Sequence, residues 1–173
     1  MAFTHLHVHT EYSLLDGSNK IKEYVRRVKE LGMDSAAITD HGVMYGVIDF
    51  YKACRAEGIR PILGCEVYVA PNSRFDKELT GGDDRYYHLV LLAENNTGYN
   101  NLTRIVSRGF TEGYYYKPRV DMELLKEFHE GIIALSACLA GEVQRYITKG
   151  LYDEAKKTAL KYQACFGKGN YFL

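Results

Sequence analysis

The sequence has no excess of charge of either sign, no long apolar run and no basic leader at its N-terminus. Its 173 residues carry 22 Lys and Arg against 22 Asp and Glu, so the formal net charge is zero. Proteins that bind nucleic acid mainly through phosphates usually have a basic excess, so we expect any nucleic-acid contact to be local, such as one strand end. The longest apolar runs, such as 132–135, are far shorter than the roughly 18–20 residues that span a bilayer. We therefore expect no membrane-spanning helix and no secretory signal.

Cysteine is also sparse and scattered, with no C-x-x-C spacing among Cys54, Cys65, Cys138 and Cys165. With no secretory signal, we interpret these residues as reduced thiols of a cytoplasmic protein. The chain is 46% hydrophobic and 25% charged, which is ordinary for a globular domain. Disorder over most of the length is excluded, because disordered chains lack the apolar surface that offsets ordering entropy.

Short apolar strands alternate with amphipathic helices along the chain. Strands are predicted at 2–8, 35–39, 61–69, 86–93, 132–136 and from 170 onward. Helices are predicted after a turn at 16–18 and at 43–57, 99–107, 122–128, 139–148 and 151–166. This alternation favours parallel strands with helical crossovers, in an open α/β sheet or a β/α barrel. Because the chain ends inside a predicted strand, we expect it to be a truncated piece of a larger domain.

Two segments have patterns of their own. The first helix carries one apolar stripe, with Ser18 or Asn19 as the predicted N-cap and Gly32 as its end. That stripe consists of Ile21, Tyr24, Val25, Val28 and Leu31. Residues 71–85 are polar and contain Gly81-Gly82, which predicts an exposed, flexible loop.

Three histidines alternate with apolar residues near the N-terminus, in His5-Leu6-His7-Val8-His9. Side chains two apart on a strand share a face, so the three imidazoles are predicted to point the same way. Each imidazole is polar and would need its own partner, so packing explains the group less well than a metal does. The alternative is a set of surface histidines on an edge strand, or the remnant of a tag.

A second polar motif, Thr39-Asp40-His41-Gly42, stands at the C-terminal end of the second predicted strand. Ligands of α/β folds bind at the carboxyl ends of strands, and His9 lies at the same end of the first predicted strand. A lone Asp-His pair is a weak signal, because such pairs also cap helices or form ordinary hydrogen bonds. Its position at this rim is what favours a functional role.

Polar residues also interrupt two apolar strands. Glu66 is a carboxylate within 61–69, which is costly unless it is paired or binds a cation, and in a central strand it would face opposite to Cys65 and Val67. His88 interrupts 86–93, where a hydrogen-bonded structural histidine is the alternative. Asp16 in the first loop and Cys138 after the fifth strand complete the candidate set.

These candidates are more numerous than one metal requires. Mixed histidine and carboxylate ligands suit Zn, Mn or Fe rather than Mg or Ca. A multinuclear site of this kind is typical of hydrolysis at phosphorus, where the metals help to generate hydroxide and stabilise the attacking and leaving oxygens. Lys117 and Arg119 could bind the phosphate, although a Lys-Pro-Arg turn is more often simply solvated.

Six stretches of the chain together resemble a known family. They are HLHVHTEYSLLDG, AITDHGVMYGVIDFY, GCEVYVAP, YYHLVLLAENNTGYNNL, YYYKPRVD and LSACLAGEV. The short His-x-His-x-Thr and Thr-Asp-His-Gly motifs resemble the polymerase and histidinol phosphatase (PHP) superfamily. The longer stretches resemble its branch of N-terminal PHP domains in bacterial DNA polymerase III alpha subunits, over nearly all 173 residues.

This resemblance implies a distorted seven-stranded β/α barrel with two or three divalent metal ions at its C-terminal rim, here truncated after about five and a half β/α units. It implies metal ligands at His7, His9, Asp16, His41, Glu66, His88 and Cys138. His5 matches a flanking position, and Asp40 is expected to support the ligands from behind. The last family motif, an Asp-x-His, would lie beyond Leu173, so this chain is expected to lack two ligands.

The resemblance also implies function. The leading hypothesis is a fragment of a replicative DNA-directed DNA polymerase, a cytoplasmic nucleotidyltransferase, whose barrel hydrolyses phosphoesters as a 3′–5′ exonuclease. Its implied partners are a single-stranded DNA 3′ end and the other polymerase subunits, including the proofreading exonuclease. The alternative is a non-catalytic module that stabilises the polymerase and docks that exonuclease. A stand-alone small-molecule phosphatase is a third possibility, which the polymerase-like stretches around 45–51 and 114–121 disfavour.

Overall fold

Seven strands and six helices follow one another in the computed structural model, which describes residues 3–78 and 85–173. The helices are α1 (Ile21–Glu30), α2 (Val47–Glu57), α3 (Asn96–Thr111), α4 (Met122–Glu127), α5 (Glu142–Thr148) and α6 (Tyr152–Phe166). The strands are β1 (Ser35–Ile38), β2 (Arg60–Val69), β3 (Tyr87–Ala93), β4 (Tyr114–Tyr115), β5 (Lys117–Val120), β6 (Ile132–Leu135) and β7 (Tyr171–Phe172). No helix in these two ranges is long and apolar enough to cross a membrane.

The strands form one open sheet in the order β4-β5-β2-β3-β6-β7, and β1 also pairs with β2. β2 is long enough to hold β1 along its first half and β5 beside Tyr68 and Val69, while β3 covers its other edge. Among the described residues β4 does not pair with β7, so the sheet is not closed into a barrel. The α/β class predicted from the alternation of elements is confirmed.

The expectation of parallel strands throughout is wrong. β3 runs antiparallel to both β2 and β6, and β4 is antiparallel to β5, whereas β1–β2, β2–β5 and β6–β7 are parallel. A parallel neighbour needs a crossover connection, usually a helix. In the described residues no helix separates β2 from β3, so β3 can return antiparallel, whereas α5 and α6 separate the parallel pair β6 and β7.

The predicted first strand is absent from the described residues 3–8, and residue 2 lies outside them. Val8 instead contacts Thr39, directly after β1, by three hydrogen bonds. The Val8 N–H donates to Thr39 Oγ1 at 2.7 Å, and the Val8 carbonyl accepts from the Thr39 N–H at 2.9 Å and from the Thr39 hydroxyl at 3.1 Å. Alternation of histidine with apolar residues does not produce a buried face here, since Phe3 is 63% exposed. A strand needs a continuous ladder and a covered face, whereas the backbone of the described residues 3–8 bonds to the chain beside it only at Val8.

Two apolar clusters lie on the helix-covered sides of the sheet. The larger one packs α3, α4 and α6 on β2, β3 and β6, and alternate residues of β2 (Cys65, Val67 and Val69) enter it. The smaller one packs α1 and α2 on β1. Because side chains alternate along a strand, Glu66 and Tyr68 face the opposite side of β2, as predicted for Glu66.

The helix ends show which local signals hold. Gly32 and Gly58 follow α1 and α2 with φ of 71° and 73°, the left-handed conformation in which glycine ends a helix. The predicted N-cap of α1 is wrong, because Lys20 occupies that position without a side-chain hydrogen bond. The stripe of α1 holds at Ile21, Val25 and Val28, but the end of the stripe at Leu31 is 52% exposed.

The segment after β2 is anchored rather than fully exposed. Arg74 is 2% exposed, and its Nη1 donates to Asp121 Oδ1 at 2.9 Å while its Nε donates to Glu112 Oε2 at 2.6 Å. A buried arginine needs such partners, because an unpaired buried charge is strongly unfavourable. Of the predicted loop, residues 79–84 lie outside the described residues.

Candidate metal centre

Glu66 is a buried carboxylate surrounded by four imidazoles. Its side chain is 0% exposed. Oε2 contacts Nε2 of His7 and lies 3.1 Å from Nε2 of His9 and 3.7 Å from Nδ1 of His41, while Oε1 contacts Nδ1 of His88. Burying a carboxylate is costly unless partners compensate its charge, and these rings, from three separate segments, provide that compensation. We call Glu66 and these four histidines the Glu66 cluster.

Backbone pairing brings His41 to Glu66. Beyond the end of β1 the chain continues beside β2, where the Glu66 N–H donates to the Asp40 carbonyl at 3.1 Å and the Gly42 N–H donates to the Glu66 carbonyl at 2.8 Å. Gly42 has φ of 66°, and a Cβ there would lie 2.8 Å from the Tyr68 ring. A glycine therefore lets the chain turn away directly after His41 while the histidine keeps its register with Glu66.

Asp40 holds the first loop in place rather than joining the cluster. Its carboxylate, 1% exposed, accepts hydrogen bonds from the Thr10 N–H at 2.6 Å, the Thr10 hydroxyl at 2.7 Å and the Ser13 hydroxyl at 2.6 Å. The Ser13 Oγ in turn accepts from the His41 N–H at 3.0 Å. Three donors on one carboxylate join the loop that follows His9 to the rim of the sheet.

Asp16 closes this loop onto the cluster. Its Oδ2 lies 2.5 Å from Nε2 of His41, and the His41 ring is stacked on the His9 ring with centroids 3.9 Å apart and planes 15° from parallel. The close return of the loop depends on Gly17, because a Cβ at this position would lie 2.0 Å from the Thr10 carbonyl oxygen. The loop thereby sets an exposed carboxylate beside two imidazoles.

His88 and Cys138 form the opposite side of the site. The His88 N–H donates to the Ala140 carbonyl at 3.0 Å, which ties β3 to the segment after β6. Cys138 Sγ lies 3.5 Å from Nδ1 of His88 and 4.0 Å from Oε1 of Glu66. The thiol is exposed, in contrast to the three buried cysteines of the chain.

The electrostatics of the site favour ligand-competent protonation states at Glu66, Asp16 and His41 and oppose one at His9. Burial opposes ionisation of Glu66, but hydrogen bonds from the surrounding imidazoles outweigh it and hold its pKa far below the ordinary value. A hydrogen bond from His41 lowers the pKa of Asp16. Burial lowers the pKa of His41 despite its Asp16 partner. For His9, burial is the largest single influence and lowers the pKa, but the hydrogen bond to Glu66 and the charges of Glu66, Asp16 and Asp40 together outweigh it and raise the pKa. Two ionised carboxylates and a neutral His41 at neutral pH are what metal binding requires.

The donor atoms fit one or more metal ions. Three overlapping groups have ligand atoms within 4.8 Å of one another: His7, His9 and Glu66; His9, Asp16 and His41; and His41, Glu66 and His88. Among residues 3–78 and 85–173, Nδ1 of His9 and Nδ1 of His41 are buried without a hydrogen-bond partner. Buried polar atoms are rarely unpaired, and a role as metal ligands would account for both nitrogens. Imidazole with carboxylate suits Zn, Mn or Fe.

Backbone strain lies next to the candidate residues. In residues 3–78 and 85–173 the non-glycine residues with positive φ are Leu15 (73°), Tyr116 (61°) and Ala137 (66°). Each directly precedes a residue singled out in the sequence, namely Asp16, Lys117 and Cys138. Positive φ is unfavourable for residues with a Cβ and recurs at functional sites, where the surrounding structure maintains it.

Three other residues singled out in the sequence lie outside the Glu66 cluster. His5 is exposed and contacts the Phe3 ring, so the three N-terminal imidazoles do not group as expected, because they are not on a strand. Arg119 is 4% exposed, and its guanidinium donates to the carbonyls of Gly113, Arg74 and Asp76, so its donors are engaged within the fold. Lys117 is exposed, as the solvated-turn reading also expected.

Tyrosines at the rim were missed from the sequence. The Tyr68 ring lies 6.2 Å from the His41 ring and 5.3 Å from the His88 ring, and Tyr86 is stacked parallel to His88 at 6.0 Å. Lys117 Nζ lies 5.5 Å from the Tyr68 ring centroid. The sequence contains the information needed to find them. Tyr68 is two residues from Glu66 and Tyr86 is two residues from His88, so on a strand each tyrosine shares a face with a cluster residue.

Comparison with known proteins identifies relatives of this chain. The profile of the PHP domain matches residues 5–173. DNA polymerase III subunit alpha of Treponema pallidum (strain Nichols) is 53% identical over 173 residues, which are 100% of this chain and 15% of that protein. The same subunit of Helicobacter pylori (strain ATCC 700392 / 26695) is 51% identical over 176 residues, 95% of this chain and 14% of that protein. This chain thus spans about one seventh of the length of these relatives.

A solved structure, described as that of a metal-dependent phosphoesterase from Bifidobacterium adolescentis, also resembles this chain. It superposes with a TM-score of 0.41 at 20% identity, over 62% of this chain and 34% of the other.

Proposed function

Since this chain belongs to the PHP domain family, we propose that the Glu66 cluster binds two or three divalent ions and hydrolyses phosphoesters. The observation that carries this proposal is the overlap of three ligand groups that share His9, His41 and Glu66. Residues that belong to two groups would hold neighbouring ions close together, as two-metal phosphoester hydrolysis requires. When bound, such ions acidify water and neutralise charge on phosphate oxygens.

The residues of the chain have separate roles in this proposal. Glu66 is the common anchor, and His7, His9, His41 and His88 orient their ring nitrogens around it. Asp16 adds a carboxylate from the solvent side, and Cys138 adds a thiol beside His88. Asp40 fixes the loop that carries Asp16, because its carboxylate accepts hydrogen bonds from Thr10 and Ser13.

Lys117 is the proposed phosphate-binding residue. The ammonium group of this exposed residue lies 5.5 Å from the centroid of the Tyr68 ring, and that ring is in turn 6.2 Å from the His41 ring and 5.3 Å from the His88 ring. A flexible lysine at that rim can reach a phosphate bound at the cluster. We assign no such role to Arg119, because the carbonyls of Gly113, Arg74 and Asp76 already engage its guanidinium.

We further propose that this hydrolysis is a 3′–5′ exonuclease activity of a longer cytoplasmic replicative polymerase. The support is identity of 53% and 51% to polymerase III alpha subunits, of which this chain matches about one seventh. The proposed substrate is a single-stranded DNA 3′ end. The proposed partners are the other polymerase subunits, including the proofreading exonuclease, and nucleotide polymerisation itself would depend on the rest of such a chain.

Metal content and nuclease assays test the proposal together. Elemental analysis is made on this chain and on a longer chain that includes an Asp-x-His motif after Leu173, each supplied with Zn²⁺, Mn²⁺ or Fe²⁺. We expect two or three ions in the longer chain, fewer in the shorter one, and Mn²⁺-dependent release of mononucleotides by the longer chain. A longer chain with no bound metal and no nucleotide release would contradict the proposal.

A second candidate is a structural module that stabilises the polymerase and docks the exonuclease subunit. The observation that favours it is the internal compensation of Glu66, whose charge hydrogen bonds from His7, His9 and His88 already offset. Glu66→Gln keeps the side-chain volume but breaks this buried pairing, so we expect a loss of about 3 kcal/mol of unfolding free energy in chelator. If the cluster is only structural, variants such as His7→Ala lower the melting temperature while proofreading and exonuclease-subunit binding stay unchanged.

A further inference from the structure

Aromatic rings lead from the Glu66 cluster to the surface at the end of β2. Tyr86, half-buried, is stacked on the His88 ring with planes 11° apart, and its ring lies 4.8 Å from that of Tyr68. Tyr68 pairs with His88 across β2 and β3. The stack therefore runs from His88, a candidate metal ligand, to Tyr86, which is partly exposed to solvent.

A second tyrosine and two cations border the same end of β2. Tyr116 is 60% exposed, and the Arg85 guanidinium lies 4.6 Å from its ring centroid. Lys117, the next residue, lies over Tyr68. Both cations are exposed. We call Arg85, Tyr86, Tyr116 and Lys117 the tyrosine strip.

Packing does not account for Tyr116. Its φ of 61° is unfavourable for a bulky residue, yet its ring is mostly in solvent rather than in the core. Within the fold the Tyr116 ring contacts the Tyr115 ring, with centroids 4.7 Å apart, and the Arg85 guanidinium. These two contacts leave most of the residue in solvent, so a base can still stack on the exposed part of the ring.

Exposed rings interleaved with cations are the features that bind single-stranded nucleic acid, in which bases stack on aromatic side chains and phosphates meet Lys or Arg. Because the net charge of the chain is zero, a local strip rather than a broadly basic surface would have to hold the strand. A small phosphate monoester would need the metal cluster but no aromatic rings.

We propose that the tyrosine strip is a binding subsite for the terminal nucleotides of a single strand. Bases stack on Tyr116 and Tyr86, and Arg85 and Lys117 contact phosphates, so that the strand end enters the Glu66 cluster. This inference rests on the proposed hydrolytic function for the identity of the site, but strand binding can be measured without hydrolysis.

The test measures binding of a fluorescein-labelled oligothymidylate of about eight nucleotides by fluorescence anisotropy in chelator. Tyr116→Asn removes the ring while asparagine tolerates positive φ, and Tyr152→Asn, at an exposed tyrosine on α6, is the matched control. We expect Tyr116→Asn to raise Kd about tenfold and Tyr152→Asn to leave it unchanged. Arg85→Gln should make the negative slope of log K against log salt concentration shallower by about 0.7, as expected for one lost phosphate contact. A duplex of the same length should bind more weakly than the single strand.

Hydrolysis by the longer chain that includes the Asp-x-His motif is then followed, with Mn²⁺, for the oligonucleotide and for the small diester bis(p-nitrophenyl) phosphate. We expect Tyr116→Asn to raise KM for the oligonucleotide about tenfold and by much less for the small diester. If neither substrate is hydrolysed but oligonucleotide binding still depends on Tyr116, the proposed hydrolytic function is contradicted, while the proposal that the tyrosine strip binds a single strand still holds. Unaltered oligonucleotide Kd in Tyr116→Asn, or no binding by the unmodified chain, would overturn the strip itself.

Discussion

Asp16 and His41 form a hydrogen bond between solvent and the candidate metal centre, with Oδ2 of Asp16 2.5 Å from Nε2 of His41. The Asp16 side chain is 65% exposed, whereas that of His41 is 17% exposed. Asp16 can thus be replaced without opening the core, which separates metal binding from folding more cleanly than a buried residue would allow.

We predict that Asp16→Asn lowers the number of bound metal ions by about one, because the group of His9, Asp16 and His41 loses its carboxylate. The melting temperature in chelator should change little, since exposed substitutions usually alter stability by less than about 0.5 kcal/mol. Elemental analysis and thermal unfolding measure the two effects. Asp153→Asn, an exposed aspartate at the start of α6, is the control and should retain all metal. Full metal content in Asp16→Asn would exclude Asp16 as a ligand.

Cysteine reactivity should single out Cys138. Burial raises the pKa of Cys54 to about 12 and that of Cys165 to about 11, and it also raises the pKa of Cys65. Because the thiolate is the reactive form, we expect N-ethylmaleimide at pH 7.5 to modify only the exposed Cys138 in the folded protein, as read by peptide mass spectrometry.

The same labelling tests whether Cys138 binds metal. A thiol that coordinates an ion is shielded from alkylation, so Zn²⁺ should slow the modification of Cys138, and chelator should restore it. Labelling of the fully unfolded protein at all four cysteines is the control for reagent access. An unchanged rate with Zn²⁺ bound would place Cys138 outside the coordination shell.

Glu112 should give the protein an acid-sensitive contribution to stability. Hydrogen bonds from Arg108 and Arg74 lower its pKa below the ordinary value of 4.5. A carboxylate with a depressed folded-state pKa stabilises the fold fully above its unfolded pKa and loses that contribution as the pH falls through the folded value. We therefore expect Glu112→Gln to be less stable than the unmodified chain at pH 7, with the difference shrinking toward pH 3 in urea unfolding.

The matched control is Glu130→Gln, an exposed glutamate in the turn before β6. Its difference from the unmodified chain should be small at every pH. A difference for Glu112→Gln that stays constant between pH 7 and pH 3 would contradict a role for the ionised carboxylate.

Glycine substitutions should have opposite effects at two positions. Gly17→Ala places a Cβ 2.0 Å from the Thr10 carbonyl oxygen, so the loop must shift, Asp16 must move away from His41, and both metal content and stability should fall. Gly109→Ala, within α3, meets only ordinary contacts at 3.4 Å or more and should gain up to about 1 kcal/mol. Urea unfolding and elemental analysis of both variants test this. A Gly17→Ala protein with full metal content would show that the loop is not needed for the site.

Local sequence pattern by itself determined the facing of residues along β2, the ends of two helices and several candidate site residues. The alternation of β2 predicts that Glu66 faces away from Cys65 and Val67, because side chains on a strand alternate regardless of its neighbours. Gly32 and Gly58 end their helices because the left-handed conformation is an intrinsic property of the residue. The candidates His9, His41 and Glu66 also stood out in the sequence alone, because polar groups beside apolar strands require partners.

Long-range pairing decided the rest. Whether 3–8 forms a strand depends on a ladder partner, and whether β3 runs parallel or antiparallel depends on the connection before it, and neither is encoded in local periodicity. Tertiary contacts separated His5 from His7 and His9 and engaged Arg119 with backbone carbonyls. They also joined Asp16 to His41 across 25 residues. The sequence determined which groups need partners, and only the packed fold decided which partners they meet, because contact between distant segments depends on how every element between them is placed.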